Sequence, residues 1–235
     1  ACGLMWTGGQ VFVLWAFRAW GVSRTMPLTT ALQLLLNATL GVSLFGEWRA
    51  PGALILGVVA LALIMLGAAA CSWQERTGPG PTAAQRRDGL LATAASAVLY
   101  GSYPSLLRAV EVPPAHAVGP MGLGLLAGAG LCALILPRRA RLRGPRIVPA
   151  ALAGGLWAVG NALMLRSTAA VGVASGFTLS QLGFVLATLG GLTILGEERT
   201  GRERTAVAAG VAAAVVGLVL MGLATGMDTG ASPSQ

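Results

Sequence analysis

Eight long apolar stretches, separated by short polar gaps, dominate the pattern of the chain. They cover 3–20, 26–47, 50–71, 88–110, 114–137, 147–168, 171–196 and 204–225. Each approaches the roughly 20 residues that a helix needs to cross a hydrocarbon core about 30 Å thick. Apolar residues run continuously within each stretch and do not alternate with polar ones, so helices are favoured over barrel strands. The pattern predicts an all-α polytopic membrane protein with about eight transmembrane helices. The segment 72–87, opening Ser72-Trp73-Gln74-Glu75-Arg76-Thr77-Gly78-Pro79-Gly80-Pro81, reads as a polar linker, and 226–235 as a small polar tail.

Composition sharpens this. Of 235 residues 55% are apolar and only 10% charged, against about 25% charged in soluble domains. Too few charges are present to coat a soluble enzyme, the apolar content excludes disorder, and Cys2, Cys71 and Cys132 form no disulfide or metal pattern. The net charge of +8 comes from sixteen Arg without Lys, placed in the gaps between apolar runs. They are not interleaved with exposed aromatics, so no nucleic-acid partner is expected. Thirteen Arg fall at the ends after the first, third, fifth and seventh stretches, and three (Arg49, Arg108 and Arg166) at the other ends. The positive-inside bias then places the Arg-rich loops 72–87, 138–146 and 197–204 in the cytoplasm and the chain in the cell membrane as a multi-pass protein.

The chain also resembles itself. Trp6-Thr7-Gly8-Gly9-Gln10 is echoed by Trp157-Ala158-Val159-Gly160-Asn161, and Gly21-Val22 by Gly172-Val173. Ala38-Thr39-Leu40-Gly41 returns as Ala187-Thr188-Leu189-Gly190, and Leu44-Phe45-Gly46-Glu47 as Ile194-Leu195-Gly196-Glu197. The offset stays near 150 residues and carries the first stretch onto the sixth. Five spans is an odd number, so equivalent elements cross the bilayer in opposite directions. Inverted repeats are the architecture of many secondary transporters. The division expected is 1–71, the last three helices of a first repeat; 72–87, the linker; 88–225, a complete second five-helix repeat; and 226–235, the tail. Two further helices before Ala1 would complete the first repeat.

The run Gly21-Val22-Ser23-Arg24-Thr25-Met26-Pro27-Leu28-Thr29-Thr30, with Gln33-Leu34 and Phe45-Gly46-Glu47-Trp48, resembles the first-half signature of glucose uptake proteins, the glucose/ribose porter family of the drug/metabolite transporter superfamily. Gly155-Leu156-Trp157 with Gly160-Asn161, Gly172-Val173-Ala174-Ser175-Gly176-Phe177-Thr178-Leu179-Ser180-Gln181-Leu182 and Leu195-Gly196-Glu197 match the second half more closely. The resemblance implies ten helices in two inverted five-helix halves and sugar uptake, usually described as proton symport. No ATPase or hydrolase motif, metal cluster or cofactor box is present. The alternatives are an exporter of drugs, amino acids or other metabolites on the same scaffold, or a truncated non-transporting membrane protein.

A sugar site needs amides and hydroxyls to match the sugar's hydroxyls, and a flat apolar face for its C–H side. Residues four apart share a helix face, so Trp6 with Gln10, and Trp157 with Asn161, each present an indole beside an amide. Thr29, Gln33 and Asn37 form a stripe on the second helix; Thr178, Gln181 and Thr188 form a looser one on the seventh. The substrate-binding set expected is Gln10, Thr29, Gln33, Trp157, Asn161, Thr178 and Gln181, with interhelical hydrogen bonding as the alternative role of the amides. Tyr100 and Tyr103, beside Pro104, are weaker candidates. A carboxylate near the midplane would be presumed functional, and none is found. Glu47 and Glu197, at repeat-equivalent helix ends, are candidate gating residues that could pair with Arg49, Arg199 or another Arg, or serve as interfacial caps. Gly124-xxx-Gly128 suits close helix packing.

Overall fold

The computed structural model describes residues 1–71, 73, 75, 81–135, 147–181, 183 and 200–230. Among these residues lie eight α-helices and no strand: α1 (Cys2–Trp20), α2 (Val22–Phe45), α3 (Ala53–Cys71), α4 (Ala83–Ala109), α5 (Pro114–Ile135), α6 (Ile147–Val171), α7 (Val173–Ser180) and α8 (Gly201–Gly230). Six of them, α2 to α6 and α8, carry stretches long and apolar enough to cross a membrane. The sequence pattern predicts eight. Helix α1 has the length, 19 residues, but Gln10, Arg18 and three tryptophans dilute its hydropathy. Helix α7 is described over eight residues, and most of the rest of the 171–196 stretch lies outside the described residues.

Helix ends differ from the apolar stretches where capping chemistry extends them. Helix α4 begins at Ala83, five residues before its apolar run, because Thr82 and Gln85 form a capping box. The Gln85 N–H donates to Thr82 Oγ1 at 3.3 Å and the Thr82 N–H to Gln85 Oε1 at 2.8 Å. Helix α8 continues to Gly230, past the expected end of the last stretch, so the start of the predicted polar tail is helical.

Helices α3 and α8 form the most extensive pair and lie to one side, while α1, α2, α4, α6 and α7 surround the middle of the bundle. Small residues let the outer pair approach closely. A Cβ on Gly67 would fall 2.6 Å from the Gly210 carbonyl oxygen, and one on Gly210 would fall 2.7 Å from that of Gly67. The Gly124-xxx-Gly128 face of α5 receives α1 in the same way, Gly124 against Gly3 and Gly128 against Thr7. Elsewhere the helices turn large apolar side chains outward, among them Leu123, Leu126 and Leu134 on α5 and Leu152 and Leu156 on α6. So continuous an apolar exterior is suited to lipid and unsuited to water.

The breaks between α1 and α2 and between α6 and α7 are alike. Gly21 has φ 93° and ψ 160°; Gly172 has φ 91° and ψ 164°. This region of backbone space is essentially open to glycine alone. The two glycines are the repeat-equivalent pair in the sequence, and they stand at opposite ends of the bundle, since the end of α2 meets the start of α7.

Candidate functional site: a central cavity and a carboxylate bridge

A cavity of about 570 Å3 lies among α1, α2, α4, α6 and α7, within the range typical of small-molecule sites, about 300–1,000 Å3. Its lining runs from the middle of the bundle towards the α1–α2 turn. Helix α1 contributes Trp6, Gln10, Val13 and Phe17; α2 contributes Met26, Thr29, Thr30 and Gln33. From α4 come Tyr100 and Tyr103, from α6 Trp157, Gly160, Asn161 and Met164, and from the α7 region Phe177, Ser180 and Gln181. No charged side chain stands among these described lining residues.

Six of the seven residues singled out as a sugar site therefore meet here: Gln10, Thr29, Gln33, Trp157, Asn161 and Gln181. Thr178 does not. It is fully buried, outside the lining, and its hydroxyl donates to the Ala174 carbonyl one turn back at 2.5 Å. Thr188 and Glu197 lie outside the described residues. Asn37 is also fully buried, donating to the Gln33 carbonyl at 2.9 Å.

The two indoles singled out in the sequence touch. The Trp6 and Trp157 ring centroids are 4.6 Å apart at an interplanar angle of 54°, and Tyr100 lies 5.4 Å from Trp6 on another side. Such tilted contacts suit the ring quadrupoles and form an aromatic wall. The two amides paired with them in the sequence are each held by a phenol from α4. Tyr100 donates to Gln10 Oε1, and Tyr103 donates to Asn161 Oδ1 at 2.7 Å. Asn161 Nδ2 faces Met121 Sδ at 3.4 Å. The hydroxyl of Thr29 is buried at the cavity with no partner among the described residues. A buried hydroxyl without a partner is unfavourable, and a small side-chain rotation would bring this one to the cavity that Thr29 lines.

At the opposite end of the bundle a carboxylate ties segments together. Glu47, just past α2, is buried and accepts from the backbone N–H of Val173 at 2.6 Å and of Ala174 at 2.8 Å. These are the first amides of α7, unsatisfied within the helix and favourable to negative charge. Arg108 of α4 completes the site by pairing with Glu47 while its guanidinium lies 4.5 Å over the Phe45 ring. Beside it Trp48 Nε1 donates to Ser175 Oγ at 3.2 Å, and the Thr225 hydroxyl of α8 reaches the same oxygen at 2.9 Å. The partner of Glu47 is thus Arg108, one of the three Arg of the Arg-poor ends. Sequence reasoning missed Val173, Ala174, Ser175 and Thr225. Their contacts join residues more than a hundred apart or a hydroxyl to a hydroxyl, and no local pattern marks them.

A second cavity, about 490 Å3, lies at this end and includes Phe45, Pro104, Arg108, Leu165 and Thr168 in its lining. Tyr103 and Met164 face the central cavity while their chain neighbours Pro104 and Leu165 face this one. The wall between the two is therefore thin.

Comparison with known proteins decides the family. The family described as sugar transport protein matches residues 1–224. The chain belongs to the sugar transport protein family. Membership makes it a transporter and not an enzyme. A Listeria innocua relative named for sugar uptake is 37% identical over 227 residues, 95% of this chain and 77% of its own length. The glucose uptake protein GlcU of Bacillus subtilis (strain 168) is 34% identical over 223 residues, 94% of this chain and 76% of its own. A solved crystal structure at 23% identity shares the fold, with a TM-score of 0.63 across 97% of this chain and 75% of its own. This member of the sugar transport protein family is, with its six apolar membrane-length helices, a multi-pass membrane protein.

Proposed function

We propose that the chain imports a monosaccharide of the glucose or ribose kind through the central cavity. The observation that carries this reading is the cavity itself: a pocket with no charged side chain among its described lining residues, bounded by two touching indoles, two phenol-held amides and a buried hydroxyl with no partner among the described residues. Aromatic faces suit the C–H side of a pyranose or furanose, and the amides and hydroxyls suit its polar rim. Gln10, Thr29, Gln33, Trp157, Asn161 and Gln181 are the binding residues in this reading. Thr178 supports the start of α7 from behind.

Transport in this reading is alternating access between two inverted repeats, 1–71 and 88–225, joined by a cytoplasmic linker at 72–87. The matching backbone of Gly21 and Gly172 and the contact between Trp6 and Trp157 support that symmetry. The cavity extends towards the Arg-rich end, and the Glu47 bridge closes the Arg-poor end. Glu47 then acts as a gate, with Glu197 as its counterpart in the other repeat. The Arg-rich loops face the cytoplasm of a cell-membrane protein, and uptake is coupled to a cation, a proton being the ion implied by the resemblance.

The test is uptake of labelled D-glucose and D-ribose into proteoliposomes holding the chain, with and without an imposed pH gradient. Saturable uptake that Asn161→Ala and Gln181→Ala weaken is the expected result, with accumulation driven by the gradient. No saturable uptake of either sugar overturns the reading, and uptake indifferent to the gradient overturns the proton coupling.

A further inference from the structure

Tyr100 and Tyr103 are three residues apart on α4 and so share one face, yet they reach in different directions. Tyr100 reaches Gln10 on α1 and Tyr103 reaches Asn161 on α6. One helix thus holds the repeat-equivalent amides of both halves, and in the same sense: each phenol O–H is the donor and each amide oxygen the acceptor. A carboxamide has an accepting end and a donating end. When a phenol takes the accepting end, the NH2 is the end left for another acceptor. Among the described residues that of Asn161 meets the Met121 thioether at 3.4 Å, a weak acceptor that a sugar oxygen can displace. Gln10 and Tyr100 are only partly buried and face open space, whereas a pair serving packing alone would be enclosed on all sides.

We propose that Tyr100 and Tyr103 are positioning residues that set the polarity of the site, fixing Gln10 and Asn161 as hydrogen-bond donors to two oxygens of the sugar. The proposal rests on the reading of the central cavity as the sugar site. It specifies something that reading does not: at two positions the sugar is recognised through oxygen lone pairs rather than through its O–H protons. Freed of its phenol, either amide can turn over and accept from a sugar hydroxyl instead, so the preference belongs to the tyrosines.

Fluorine in place of a hydroxyl keeps a weak acceptor and removes the donor, whereas hydrogen in its place removes both. The experiment is competition against labelled D-glucose uptake (D-ribose where that is the sugar transported) by the deoxy and deoxyfluoro analogues at each carbon, in proteoliposomes holding the full chain. For the wild-type chain, at two positions the fluoro sugar is expected to compete at least about fivefold better than its deoxy partner. In Tyr100→Phe and in Tyr103→Phe one of those two advantages falls below about twofold while the other persists. Saturable uptake with fluoro and deoxy sugars equal at every carbon overturns this inference and leaves the sugar reading standing. Advantages that persist in both variants overturn the role of the tyrosines. Absence of saturable sugar uptake overturns the sugar reading and the inference with it. The wild-type panel decides the polarity of the site even where a variant fails to fold.

Discussion

The carboxylate of Glu47 accepts the backbone N–H of Val173 at 2.6 Å, joining the end of α2 to the start of α7 across 126 residues of sequence. With Ala174 and Arg108 it forms a charge-assisted cluster, and each such bond contributes on the order of 1.5–3 kcal/mol. If Glu47 gates this end as proposed, weakening one bond shifts the equilibrium between its closed and open forms by roughly tenfold or more. Glu47→Gln keeps the shape but loses the charge. Its uptake Vmax is expected to fall about tenfold, with KM within about twofold of wild type because Glu47 does not line the cavity. Initial-rate kinetics in proteoliposomes check this; a KM change with Vmax intact counts against the gate.

Gly172 and Gly21 share a backbone conformation but not their surroundings. A Cβ at Gly172 would lie 2.5 Å from the Glu47 carboxyl carbon, while one at Gly21 would meet nothing within 4 Å. Alanine at either position incurs strain of about 1–3 kcal/mol, and only at Gly172 does it also push on the bridge. Melting in detergent is expected to drop for both variants and further for Gly172→Ala, which alone loses most of its uptake. Equal effects would separate Glu47 from the turn.

Thr29 offers a test in which stability and binding part company. Its buried hydroxyl has no partner among the described residues, so Thr29→Val breaks no bond in the empty protein and is expected to leave the melting temperature unchanged or raised. A sugar that uses this hydroxyl loses one hydrogen bond, about 0.5–1.5 kcal/mol, so KM rises by roughly two- to tenfold. A fall in melting temperature with KM unchanged would show the hydroxyl to be structural.

Two glycines of α5 should respond oppositely to the same change. Gly128 faces Thr7 of α1, with no room for a side chain, whereas Gly130 faces open space. Gly128→Val is expected to destabilise the fold markedly in a detergent melt, and Gly130→Val to be tolerated.

The helices were legible because lipid leaves an apolar run no other structure. The lining of the pocket was legible because the sequence sets an indole four residues before an amide at two similar places, and Trp6, Gln10, Trp157 and Asn161 all line it. Thr178 lies outside the cavity lining because spacing defines a face but not what that face meets, and this one turns its hydroxyl back to the backbone. The pairing of Tyr100 with Gln10 depends on the register between α4 and α1, and that of Glu47 on where α7 begins. Neither is written in local periodicity. The start of α4 departs from its apolar run because a hydrogen-bonded cap and not hydrophobicity sets it.

The absence of charged side chains among the described lining residues of the central cavity has an electrical consequence. A membrane potential does work only on charge, about 2.3 kcal/mol per elementary charge per 100 mV. In the proposed reading, a neutral sugar among the described indoles, phenols and amides gives the field nothing to grip, nor would those side chains if the cavity changed the side to which it opens. In that reading any voltage dependence of turnover would report the coupled cation or charge displaced outside these described lining residues, and patch-clamp or valinomycin-set potentials could register it apart from the passage of the neutral sugar.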